Sequence, residues 1–296
     1  MSARIQVNRV SENEIERLLP VLVHIQANLD QDLSLEVLAK RVRLSPFHFH
    51  RLFRSAVGET LKQYTQRLRL ERAASRLVIH DSTILDVALD SGFQSHETFS
   101  REFKRRYQVT PKSYREWGRG EMRALSAPGL DELYTDFELS ETKVARLAQL
   151  HVAFIRHVGP YEMVPDTLWH KLADWAKSRR LPVDLTFLGI AQDGPGLTAP
   201  ERLRFDAGIV VPEEFSSEGE IGHQVLNGGE FALTTHVGHY RTLPEAYSTM
   251  ARRAARLKGY QLGGLPCIEV LRTTRVDANH EMNHTEIYIP VSRIRK

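Results

Sequence analysis

The 296-residue sequence predicts two domains of different class: an all-α front domain built on a double helix-turn-helix, and an α+β rear domain of two duplicated strand-helix-strand-strand units. Three observations carry this. A helix-turn-helix pattern over residues 83–115 also occurs over 34–65. A second pattern, HVGPYEMVPDTLWHKL at 157–172, returns as HVGHYRTLPEAYSTMA at 236–251, an offset of 79 residues. Between them the helical periodicity lapses from Gly118 onward, where Gly120, Pro128 and Gly129 punctuate a polar stretch that reads as an interdomain linker. The resulting boundaries are residues 1–118, a linker over 119–136, and 137–296. This length is enough for two cores of ordinary size.

The front domain opens with Ser11 and Glu14 in capping-box positions, then Ile15, Leu18, Leu19, Leu22, Ile25 and Leu29 at helical spacing. Pro20 marks a kink or a later helix start. In the first motif Ser45 caps a helix that buries Phe49, Leu52, Phe53 and Ala56 and turns Phe47, His50, Arg51 and Arg54 outward. Residues 60–80 carry Leu61, Tyr64, Leu68, Ala73, Leu77 and Val78 without a breaker. A long helix there would hold two reading helices about 34 Å apart, one turn of duplex. In the second motif Ile84–Leu89 form a short helix, Gly92 supplies the turn, and Ser95 caps the next helix. Phe99, Phe103 and Tyr107 line its inner face, and Glu97, Arg101 and Lys104 its outer face, with Ser100 at the flank.

The two copies correspond position by position: Ala39 with Ala88, Ser45 with Ser95, Phe49 and Phe53 with Phe99 and Phe103, Arg51 with Arg101, Arg54 with Lys104, Tyr64 with Tyr114. Charge agrees with a nucleic-acid module in front, since residues 1–120 hold 20 Lys+Arg against 14 Asp+Glu while the remainder holds 20 against 23. The order and spacing over about residues 16–118, closing on Pro111, Tyr114 and Arg115, resemble the DNA-binding domain of the AraC family of transcription regulators. The resemblance implies double-stranded DNA as partner, with RNA polymerase a second. It places the DNA face on Phe47, His48, His50, Arg51 and Arg54, and on Ser95, His96, Glu97, Thr98, Ser100, Arg101, Lys104, Arg105 and Lys112. Arg51 and Arg101, mid-helix and outward, have the geometry to pair with guanine, Glu97 to accept from cytosine and Phe47 to cover a thymine methyl.

In the rear domain each copy of the second repeat starts with an alternating strand, Val152–Ile155 or Phe231–Thr234, turns, and becomes a helix with Pro165 or Pro244 near its first turn. Strands follow at 205–211, 268–271 and 285–290. This duplicated unit, with RFDAGIVVP at 204–212 and TEIYIPV at 285–291, looks like the gyrase-inhibitor-like effector-binding domain; behind an AraC-type module it gives the layout of the Rob-like regulators. That resemblance implies a small-molecule effector in an aromatic cleft with a glutamate at its base, and Glu269 is the matching residue. Trp169 and Tyr161 from the first copy and Tyr240 from the second are the expected walls. A carboxylate among aromatic faces favours a lipophilic ligand bearing positive charge or a good hydrogen-bond donor. Two other classes stand beside this reading: a hydrolase using a tyrosine and a glutamate of that cleft, and a module that binds a protein such as gyrase.

His280–His284 spells HExxH, but its position before a β-patterned strand argues against the helical zinc site that the motif requires. His236 reads as a turn residue because its repeat partner is also histidine, His157. With one cysteine, Cys267, no internal disulfide or cysteine-based metal set can form. No cofactor motif is present, Met1–Val10 lacks a secretory apolar core, and no apolar run reaches membrane length, so a cytoplasmic protein with no membrane partner is expected.

Overall fold

The computed structural model describes residues 12–125, 136–182, 184–212, 214–264, 266–272 and 283–294. The front of the chain is helical: α1 (Glu12–Ala27), α2 (Leu35–Arg41), α3 (Pro46–Val57), α4 (Leu61–Ile79), α5 (Ile84–Asp90), α6 (His96–Tyr107) and α7 (Pro111–Leu125). α1 continues through Pro20, which lies on its exposed side, rather than starting there; Ser11 lies outside the described residues. α4 is shared between two cores. Its first half gives Leu61, Tyr64 and Leu68 to a cluster with Phe49, Leu52 and Phe53, and its second half gives Leu70, Ala73, Ala74 and Leu77 to a cluster with Phe99, Phe103 and Tyr114. A 19-residue helix locked at both ends cannot bend at its middle without opening a core.

Two details of the front domain differ from expectation. Ala56 is exposed; Val57, the last residue of α3, packs on the core in its place. Helix α7 continues to Leu125 rather than lapsing at Gly118. A Cβ at Gly118 would lie 2.5 Å from Val78, so the glycine is a close-crossing point of α7 over α4 and not a terminator. Residues 126–135 of the expected linker lie outside the described residues.

The rear of the chain forms one antiparallel sheet with helices on one face. Its elements are β1 (Phe137–Leu139), β2 (Lys143–Leu147), β3 (Leu150–Val158), α8 (Thr167–Ser178), β4 (Phe187–Ala191), β5 (Arg204–Val211), β6 (Gly222–Leu226), β7 (Gly229–Gly238), α9 (Leu243–Ala255), β8 (Tyr260–Leu262), β9 (Cys267–Leu271) and β10 (Asn283–Arg293). The strand order is β1-β7-β10-β9-β4-β5-β3-β6, with β2 also on β7 and β8 on β10. β4, a strand absent from the sequence reading, meets β9 at the centre, with Gly189 opposite Glu269.

β3 and β7 do not alternate between buried and exposed. Residues 152–155 and 231–234 are buried without a break, because both faces of the sheet are covered. Helices α8 and α9 cover one face. On the other, Leu19 and Val23 of α1 pack with Val152, Phe154, Leu188, Ile190 and Ile268, so the front domain supplies part of the rear domain's core. No helix among the described residues is long and apolar enough to cross a membrane.

Candidate DNA interface and effector cleft

The two helices expected to read DNA are built alike. Ser45 accepts from the His48 N–H at 3.3 Å to open α3, and Ser95 accepts from the Thr98 N–H at 3.2 Å to open α6. Each ends in a left-handed residue, Gly58 for α3 and Gln108 for α6. Burial of Phe49 and Phe53 on one, and of Phe99 and Phe103 on the other, fixes which face is left out. Phe47, His48, Arg51 and Arg54 are exposed and His50 is half-buried. His96, Glu97, Thr98, Arg101, Lys104, Arg105 and Lys112 are exposed, while Ser95 and Ser100 are half-buried.

The charges on these faces differ in freedom. Arg105 is paired with Glu102, whose carboxylate lies 3.6 Å from Arg101 Nε and also accepts from Gln66 of α4. The Glu97 carboxyl lies below the ordinary carboxylate range, held there first by its own backbone N–H and then by the Ser95 hydroxyl. It therefore stays ionised as an acceptor at the start of α6. Arg115, of the closing motif, is structural: its guanidinium donates to the carbonyls of Leu77 (3.2 Å) and Ser82 (2.8 Å).

On the helix-covered face of the sheet, Glu269 is buried at 5% exposure. A Cβ on Gly189 would come within 2.8 Å of the Glu269 carboxylate and 2.6 Å of the Phe205 ring, so the missing side chain makes the slot the carboxylate occupies. Tyr247 of α9, half-buried, faces Glu269; its hydroxyl pKa is raised well above the ordinary value, first by burial and then by the Glu269 charge. The same two causes push the Cys267 thiol up to about 12. Tyr161 packs its ring against Phe205 (5.8 Å between centroids), and its hydroxyl donates to the Asp193 carbonyl at 2.7 Å. Trp169 has no exposed surface and lies 6.1 Å from Phe205. Tyr240 and Cys267 touch both the α8-side and α9-side clusters, which places them at the seam between the two helices.

Gly189, Phe205 and Tyr247 escaped the sequence reading. Tyr247 had a signal, since the 79-residue offset aligns it with Leu168, beside Trp169. A cavity of about 580 Å³ lies elsewhere, between the domains, lined by Glu71 and Arg72 of α4 together with Asp193, Arg204 and Gln224.

His236 is not a turn residue: it is interior to β7, fully buried, with Nε2 2.8 Å from Thr242 Oγ1. The Thr242 hydroxyl donates its proton to the His239 carbonyl, so the His236 proton sits on Nε2, and its buried Nδ1 finds no hydrogen-bond partner among the described residues. Burial lowers its pKa to about 4 from 6.5. The unfolded chain therefore binds more protons between these values, so His236 contributes stability above pH 6.5 that is lost as pH falls toward 4, up to about 3 kcal/mol. Urea unfolding of wild type and His236→Gln across pH 7 to 4 is expected to show a flatter profile in the variant; parallel profiles would exclude His236 as a source of acid sensitivity. Of the HExxH pentad, His280, Glu281 and Met282 lie outside the described residues, and Asn283 and His284 begin strand β10.

Comparison with known proteins agrees with both halves of this geometry. The family described as the GyrI-like small molecule binding domain matches residues 140–292, and a helix-turn-helix domain family matches 38–116. The chain is 29% identical to the right origin-binding protein of Escherichia coli over 234 residues, covering 74% of this chain and 77% of that one. It is 26% identical to the transcriptional regulator Rob of Salmonella typhimurium over 227 residues, covering 74% and 77% respectively. Its front part is 36% identical to the regulatory protein SoxS of Salmonella typhimurium over 101 residues, 34% of this chain and 94% of that protein. The chain belongs to the GyrI-like family and joins that small-molecule binding domain to an AraC-type helix-turn-helix domain, the constitution of a DNA-binding transcription regulator.

Proposed function

We propose that the domain over 1–118 places α3 and α6 in successive major-groove segments of double-stranded DNA, and that the domain over 137–296 senses a small molecule through the cleft above Glu269. Residues 119–136 link them, with RNA polymerase the partner at the promoter and the cytoplasm the place of action. The rear domain is read as two strand-helix-strand-strand units, β3-α8-β4-β5 and β7-α9-β9-β10, meeting at the β4–β9 pair. The relatives are transcription regulators, and no catalytic role is assigned to Glu269 or its tyrosines. One observation supports the DNA reading best: two helices with the same caps and the same buried phenylalanine pair present Arg51 and Arg101 outward at equivalent places.

Each arginine is assigned to base reading, worth about 1–3 kcal/mol of discrimination per bidentate contact with guanine. Arg54, Lys104, Arg105 and Lys112 are assigned to phosphates, as are the polar groups of His48, His50, Ser95, His96, Thr98 and Ser100. Arg51→Ala and Arg101→Ala, measured on single-base variants of a duplex selected by the wild-type chain, are expected to relax preference at one position each. A uniform loss across all variants would mean phosphate contact and reject base reading.

In the cleft, Glu269 and the rings of Tyr161, Trp169 and Tyr240 are assigned to a lipophilic ligand bearing positive charge or a hydrogen-bond donor. Cation–π attraction there is worth about 0.5–2 kcal/mol. Glu269→Gln is expected to weaken matched cationic aromatic amphipaths more than neutral or anionic ones in calorimetric titration. Equal affinities for all three in both proteins would remove Glu269 from the site.

A further inference from the structure

The stretch from Pro200 to Arg204 sits where the domains meet, touches the end of α3, and shares a cavity with Glu71 of α4, the neighbour of the end of α6. Arg202 forms an ion pair with Glu59, the residue directly after Gly58, the left-handed C-cap of α3. Glu59 is held from the other side by Arg67 of α4, with Nη2 at 3.0 Å. Arg204, 8% exposed, is clamped by Asp193: its Nε lies 2.8 Å from one carboxylate oxygen and its Nη2 2.5 Å from the other. Its remaining nitrogen, Nη1, is buried and finds no hydrogen-bond partner among the described residues. Arg204 shares the interdomain cavity with Glu71 of α4, 7% exposed, and each feels the other's charge. Glu71 pairs with Arg67 at 3.3 Å and lies 3.7 Å from Arg106, in the last turn of α6. Buried charges of this kind are screened far less than surface pairs, so a small displacement of one is felt by the next.

At its other end the same stretch is bonded to the cleft. The Tyr161 hydroxyl donates to the Asp193 carbonyl, accepts from the Asp193 N–H at 3.1 Å and lies 3.3 Å from the Arg204 carbonyl oxygen. The Gly159 N–H donates to the Leu203 carbonyl at 2.8 Å. The unpaired Arg204 Nη1 and the Glu71 carboxylate thus belong to groups of opposite charge that line one cavity from the two domains.

We propose that residues 200–204 are a strut through which occupancy of the Glu269 cleft alters the hold on both reading helices, Arg202 acting on α3 through Glu59 and Arg204 acting on α6 through Glu71 and Arg106. The proposal rests on the reading of that cleft as the effector site. Arg202, Arg204 and Glu71 are positioning residues in it and touch neither DNA nor ligand.

Hydrogen exchange on the full-length chain tests it without a ligand. Tyr161→Phe removes only the hydroxyl that joins cleft to strut, and is expected to speed exchange about fivefold or more over 54–60 and over 104–109, the floor of ordinary coupling strengths. Arg202→Ala is expected to act on 54–60 and spare 104–109, whereas Glu71→Gln, which loosens both Arg106 and the Arg67 that holds Glu59, is expected to act on both windows, with α2 (35–41) unchanged throughout. Adding Tyr161→Phe to Arg202→Ala should then produce no further change over 54–60. Wild-type exchange in both windows of Tyr161→Phe would overturn the strut, and so would a rise of equal size in α2, which marks general loss of stability. Calorimetric titration with phenyltrimethylammonium separates the two readings. Binding that Glu269→Gln abolishes, without a Tyr161→Phe response, sinks the strut alone. A Tyr161→Phe response without binding sinks the cleft assignment and leaves the strut as the link between Tyr161 and the reading helices.

Discussion

Gly92→Ala is expected to disrupt the second helix-turn-helix and abolish specific DNA binding. The added Cβ would lie 2.1 Å from the Leu29 carbonyl oxygen and 2.6 Å from Arg69 Nε, at a backbone φ of +87°. Arg69 cannot yield easily, because its Nε donates to that same carbonyl at 2.8 Å and its Nη2 to the Gln31 carbonyl at 3.0 Å. Left-handed strain and overpacking together amount to about 2–5 kcal/mol. Gly58→Ala is the control: φ is +76° but nothing lies within 4 Å of the new Cβ, so only the strain of about 1–2 kcal/mol remains. Urea midpoints of the two variants should differ accordingly, and equal midpoints would show that the Leu29 contact relaxes without cost.

Trp169→Ala is expected to cost about 3–5 kcal/mol, the usual range for truncating a fully buried tryptophan. The indole packs on Phe205, and Phe205 in turn bounds the slot for Glu269, so the loss spreads to the cleft. Ligand affinity measured on that variant reports the fold as well as the pocket. Trp169→Phe, which keeps most of the volume, should retain most of the stability and isolate any contact with ligand. Wild-type stability in Trp169→Ala with affinity lost would instead make the indole a wall of the site.

The front domain was legible because each of its signals is local. A serine cap, a phenylalanine pair four residues apart and a glycine turn all act within one or two helical turns, and the structure places Ser45, Ser95, Phe49, Phe53, Phe99 and Phe103 accordingly. The repeat also located the helices α8 and α9 and the strands β3 and β7. What failed was whatever depended on a distant neighbour. Val152–Ile155 and Phe231–Thr234 look like half-buried strands until α1 covers their second face with Leu19 and Val23. β4 was missed because FLGIA is short and continuously apolar, with a glycine at its centre whose purpose appears only when Glu269 lies opposite. Gly118 reads as a stop signal in isolation and becomes a crossing point once Val78 is beside it. The interdomain ion pair joins Glu59 and Arg202, 143 positions apart, with no pattern in the chain to connect them.

The environment of Cys267 has a practical use in optical measurement. It is the sole thiol of the chain, and half-burial together with the neighbouring Glu269 charge pushes its pKa up, so at neutral pH little of it is the thiolate with which maleimides react. Dyes can therefore be attached to cysteines introduced at exposed positions while the native residue stays in place. Ser55 on α3 and Ser178 at the end of α8 are both exposed and stand in different domains. A donor and acceptor pair there would make resonance energy transfer a direct ruler of how the reading domain sits on the sensing domain, in a chain that needs no cysteine removed.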